Sequence, residues 1–123
     1  MRAAGTVSAP VARLECRFYR TRVGREPVRE WLRGLLPEER KEIGSDIRRV
    51  QWRGPIGKPL VDGLGRGLYE VRTAHRGGSY RVLFCIQGGT MVLLHGFKKK
   101  TPTTPADDLA LARDRQRDVE QAR

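Results

Sequence analysis

Polar and apolar positions alternate along some stretches of the chain and recur at helical spacing along others. From Leu14 to Tyr19, Cys16 and Phe18 point one way and Glu15, Arg17 and Tyr19 the other, which predicts a first strand. Thr21 to Gly24 reads as a turn. Pro27 then suits the first position of a helix whose apolar stripe is Val28, Trp31, Leu32 and Leu35, at i, i+3, i+4 and i+7. Pro37 opens a second helix. Glu38 and Glu39 lie in its first turn, Ile43, Ile47 and Val50 form its stripe, and Gly54-Pro55 ends it. The glycine-rich stretch Gly54 to Gly67 reads as a loop. Three strands follow: Leu68–Thr73, Tyr80–Ile86 and Met91–Phe97, joined by turns at His75–Ser79 and Gln87–Gly89.

Period two sorts the side chains of this meander. Tyr80, Val82, Phe84 and Ile86 share one face, and Arg81, Leu83 and Cys85 the other. Arg72 lies with Leu68 and Glu70, opposite Tyr69 and Val71, and His95 is in phase with Met91, Leu93 and Phe97. After the loop Thr101–Pro105, Thr104 is a candidate cap for a third helix that starts at Pro105 and runs to about Gln121, with a thin stripe of Leu109, Ala112 and Val119. The expected order is β-α-α-β-β-β-α. The predicted class is α+β: a small, mostly antiparallel sheet with an N-terminal helical hairpin on one face and a C-terminal helix. Residues 1–12 are expected to be a disordered leader, and 13–123 a single domain.

Charge sharpens this picture. The 123 residues hold 25 Lys and Arg against 14 Asp and Glu, a formal net charge of +11. That excess makes nucleic acid the first candidate partner, ahead of an acidic protein or an anionic membrane surface. No apolar run is long enough to span a bilayer and the N-terminus lacks the apolar core of a signal peptide, so a cytoplasmic protein is expected. Cys16 and Cys85 are read as reduced core thiols. With only two cysteines and two histidines and no Cys-x-x-Cys spacing, neither a metal site nor a cofactor is expected. A phosphate-loop reading of Gly54–Gly67 fails, because no Ser or Thr follows Lys58 and the glycine spacing is wrong.

The candidate chemistry lies in the meander. Arg72 and Arg81 are strand residues flanked by apolar neighbours, and the last strand runs into Lys98-Lys99-Lys100. Together with the turn residue Arg76, these would gather several cations on one side of the sheet. Guanidinium groups hold phosphate bidentately, and lysines add point charge. Such a site binds an RNA backbone, or stabilises the pentacoordinate transition state when a ribose 2′-OH attacks its own phosphate. His95 has two readings: a satisfied residue of the sheet, or a general acid or base. His75, in a turn, is a surface candidate for the same role.

The series GLYEVR, YRVLF and LHGFKKKTPTTP, followed by a charged helix, resembles the HigB-type toxins of the RelE/ParE superfamily, in their phage-derived branch, over about residues 14–120. The resemblance implies a ribosome-dependent mRNA endonuclease that needs no metal and leaves a 5′-OH product. It also implies a helix-turn-helix antitoxin through which the pair contacts operator DNA. It assigns phosphate stabilisation to Arg81 and Arg72 and the basic position after the last strand to Lys99, with Lys98 and Lys100 beside it; these two lysines and the turn residue Arg76 are the expected RNA contacts. The sequence departs from RelE-type members in its proton-transfer groups. The strand of Arg72 carries Leu68 and Glu70 rather than lysines, and no tyrosine follows Tyr80. Some HigB members use histidines, which brings His95 into the expected catalytic set. The competing readings are a ParE-like gyrase inhibitor and a non-catalytic RNA- or ribosome-binding protein.

Overall fold

The computed structural model describes residues 13–54, 61–100 and 104–122, so the expected leader lies outside the described residues. The order is β1 (Glu15–Phe18), α1 (Pro27–Arg33), α2 (Pro37–Arg53), β2 (Val61–Gly65), β3 (Leu68–His75), β4 (Gly78–Gln87), β5 (Thr90–Lys98) and α3 (Ala106–Gln121). The strands form one sheet in the order β1-β5-β4-β3-β2. Strands β2 to β5 are antiparallel neighbours, and β1 joins β5 in parallel. The α+β architecture expected from the sequence is the one observed. Three hairpins turn on two residues each, Arg66-Gly67, Arg76-Gly77 and Gly88-Gly89, all with positive φ at both positions. That geometry matches the twist of the flanking strands, and a glycine in the second position lowers its cost.

The sheet is covered on both faces. Tyr80, Val82, Phe84 and Val71 pack with Ile43, Ile47 and Val50 of α2 and Val28 of α1. Leu68, Leu83, Cys85, Val92 and Leu94 pack on the opposite face with Ala112 and Val119 of α3. Cys16 and Cys85 thus belong to opposite faces, and burial pushes each thiol up to about 11. Gly96 has no side chain because Trp31 of α1 occupies that space: a Cβ there would sit 2.4 Å from the indole ring. No helix among the described residues is long and apolar enough to cross a membrane.

Three features differ from the reading of the sequence. Val61–Gly65 was expected to be loop but forms the edge strand β2. Its glycines conceal two apolar anchors, Val61 on the α2 face and Leu64 on the α3 face. Second, β5 carries a bulge: Leu83 pairs with His95 while Phe84 pairs with Leu93, leaving Leu94 as the extra residue. The bulge breaks the phase between Leu93 and His95, so His95 faces α3 rather than the side of Met91 and Leu93. Third, Thr104 does not cap α3. The N-cap is Pro105, without a side-chain cap, and the Thr104 hydroxyl turns to the sheet instead.

Polar anchors supplement the thin apolar stripe of α3. Arg113 donates to the carbonyls of Leu64 and Gly65, each at 2.8 Å, and Gln116 Nε2 donates to that of Arg66 at 2.7 Å. Arg115 donates to the carbonyl of the bulged Leu94 at 2.8 Å. The Tyr19 hydroxyl donates to Asp118 at 2.6 Å. The bonds from Arg113, Gln116 and Arg115 satisfy backbone carbonyls that the hairpin turn and the bulge take out of the regular ladder.

Candidate phosphate-binding site

Arg72 and Arg81 are direct cross-strand partners on β3 and β4, on the face that α3 covers. Two guanidinium groups this close repel unless an anion separates them, and Glu70 supplies it. Its Oε1 lies 3.4 Å from Arg72 Nε and 3.4 Å from Arg81 Nε. Its Oε2 accepts a 2.7 Å hydrogen bond from Thr104. Glu70 is only 1% exposed, so these partners rather than water satisfy its oxygens. Asp62 of β2 takes Arg72 Nη2 at 3.1 Å.

Arg81 is more enclosed than Arg72, with 11% of its side chain exposed against 27%. Its Nη1 donates to Ser79 Oγ at 2.7 Å and to the Tyr80 carbonyl at 3.1 Å. Its Nε is buried and, apart from the 3.4 Å ion pair, has no hydrogen-bond partner among the described residues. Burial lowers its affinity for its proton, and Glu70 opposes that. Lys99 continues β5 through a backbone bond from its N–H to the Ser79 carbonyl at 2.7 Å. Burial, followed by the nearby Arg81, lowers its pKa from the ordinary lysine value. A cavity of about 390 Å³ opens beside Arg72 and Arg81, with Arg49, Asp46, Thr73 and Ser79 on its walls.

Of the cations expected together, the fold gathers Arg72, Arg81 and Lys99. It does not bring Lys98 or Arg76 to them. The pleat sends successive lysines to opposite faces, so Lys98 lies over the Tyr80 ring, with its Nζ 5.6 Å from the centroid. Arg76, at the tip of the β3–β4 hairpin, lines a separate recess of about 190 Å³ with Lys98, His75, Glu39 and Tyr80. Lys100 is exposed beyond the end of β5. His95 lies under the start of α3, two strands from Glu70 in register, with its Nε2 2.5 Å from Asp108 Oδ1 and its ring stacked on Phe97.

Residues 30–117 match the family of phage-derived Gp49-like proteins (DUF891). The chain belongs to the Gp49-like family. This is a RelE-like, toxin-type family, and the match spans the second half of α1, all of α2, the whole meander and most of α3. No curated protein matches the chain.

In this Gp49-like protein the residues that sequence reasoning passed over are the acidic ones. Glu70 was noted only as a departure from a lysine pattern, and Asp62 lay in a presumed loop. A signal for Glu70 was present: it shares the phase of Arg72 and Leu68, on the face of Arg81, and a carboxylate between two strand arginines calls for an ion pair. No such signal existed for Arg49, which reaches the cavity from α2.

Proposed function

We propose that this Gp49-like protein is the toxin of a type II toxin–antitoxin system, a ribosome-dependent endoribonuclease of the HigB type. The observation that carries the reading is the Arg72–Arg81 pair with Lys99 beside it. It is a cationic cluster on a rigid sheet, in which Arg81 keeps a buried Nε–H without a hydrogen bond. Donors fixed before the substrate arrives are what a developing phosphorane charge requires, because they need not reorganise at the moment of reaction.

In the proposed reaction the ribose 2′-oxygen attacks the adjacent phosphorus while its proton passes to a basic group. The phosphorus–O5′ bond breaks, and the leaving oxygen takes up a proton. The products are a 2′,3′-cyclic phosphate and a 5′-OH end. Arg81 and Arg72 hold the non-bridging oxygens. Lys99, whose proton is held less tightly than an ordinary lysine's, is the proton carrier beside them in this reading. His95, engaged by Asp108, lies on the same face and takes a role only if that pair opens. In this reading the basic surface meets the ribosome and its mRNA, and the partner that neutralises the toxin is a helix-turn-helix antitoxin.

The test uses purified protein on ribosomes stalled on a defined mRNA, read by primer extension. Wild-type protein is expected to cut within the ribosome-bound codon and to leave free RNA intact. Arg81→Ala is expected to lose activity by about a hundredfold or more, the scale set by removal of one oxyanion donor. Absence of cleavage by the wild type, with ribosome binding retained, would turn the reading to a non-catalytic binder.

A further inference from the structure

The cluster is less positive than its arginines suggest. Arg72, Arg81 and Lys99 contribute three positive charges, and Glu70 and Asp62 remove two. Neither carboxylate is incidental. Glu70 is almost fully buried, lies midway between the two guanidinium groups, and is fixed on its other oxygen by Thr104. Burial of a carboxylate is costly unless it is paired, so this arrangement is held by the arginines as much as it holds them. Among these five side chains one net positive charge remains, far less than the three cations alone would present. A terminal phosphate or a pyrophosphate carries two to three negative charges and would meet Glu70 as well as the arginines.

We propose that Glu70, with Asp62, is a positioning residue that tunes the cluster to a singly charged phosphodiester. The site thereby gives terminal phosphates and free polyphosphates little advantage from their extra charge, so that a singly charged internal linkage of an RNA strand competes with them. This rests on the phosphate-site reading above but not on cleavage. The selection is electrostatic. An added positive charge on the cluster attracts a multiply charged ligand more strongly than a singly charged one, in proportion to ligand charge.

The experiment measures binding of two probes to the full chain by NMR titration at low salt: inorganic pyrophosphate, and a 2′-deoxy dinucleoside monophosphate that cannot be cleaved. In the wild type, pyrophosphate is expected to bind less than about tenfold more tightly than the diester, and a larger preference overturns the proposal. Glu70→Gln keeps the shape and an acceptor oxygen but removes the charge. It is expected to shift the ratio towards pyrophosphate by about tenfold, while Glu70→Asp leaves the ratio near that of the wild type. A ratio unchanged in Glu70→Gln overturns charge selection and leaves the phosphate site standing. If neither probe binds, or if Arg81→Gln weakens neither, the phosphate site falls and the proposal with it. The wild-type ratio decides the matter even if the Gln variant fails to fold.

Discussion

Glu39 shows how one side chain ties several elements together. Its Oε1 accepts from the Leu36 N–H at 2.9 Å at the start of α2, and its Oε2 accepts from the Tyr80 hydroxyl on β4. The Tyr80 bond first, then the Leu36 bond, with Lys98 and His75 as nearby charges, hold this carboxyl below the ordinary value of 4.5. A carboxylate with a depressed pKa adds stability in full above the unfolded value, and that stability is lost as pH falls through the folded one. Wild type is therefore expected to exceed Glu39→Gln in thermal stability at neutral pH, with the gap closing below about pH 4.5. Melting curves from pH 3 to 7 check this, and a gap independent of pH would show that the bond carries no charge dependence. At the alkaline end Tyr80, raised above its ordinary 10.0 chiefly by Glu39, contributes in its neutral form and loses that contribution as pH rises past this range.

At the level of elements, the helical hairpin and the meander were legible because their apolar positions repeat strictly. Val28, Ile43, Ile47 and Val50 fall where period 3.6 puts them, and Tyr80, Val82 and Phe84 where period two does. The phase of Arg72 and Arg81 followed from the same rule, so the centre of the candidate site was readable too. The bulge was not, because Leu93 and Leu94 are chemically alike and either could have carried the register. Nor was the anchoring of α3, since an arginine that donates to a backbone carbonyl has the same hydropathy as one in water. The separation of Lys98 from Lys99 was available in principle, because alternation does not stop where the strand ends. Packing of α1 on β5 yields a direct test. Gly96→Ala forces a Cβ into the Trp31 ring and is expected to destabilise the domain by about 1–3 kcal/mol, measured by urea unfolding. Retention of wild-type stability would mean that Trp31 moves freely.

Across the molecule, the positive charge is spread wider than the phosphate site. A second cleft of about 370 Å³ lies between the end of β1 and the last turn of α3, lined by Arg17, Arg20 and Arg22. Among the described residues its one carboxylate, Asp118, is already engaged by Tyr19. RNA binding is therefore expected to weaken steeply with salt. Replacement of these three arginines by alanine is expected to reduce the slope of log K against log salt by up to about 2, at about 0.7 per contact to a single strand. An unchanged slope would place the RNA path elsewhere. The contacts of α3 carry a further consequence, one of timing. Its partners and those of the segment before it lie far back in the chain, with Tyr19 and Asp118 separated by 99 positions and Glu70 and Thr104 by 34. During synthesis the meander emerges first, and Glu70 stands between its arginines without Thr104 until the C-terminal segment has followed. The cluster thus reaches its final form only after the segment of Thr104 has followed, later than the meander that carries its arginines.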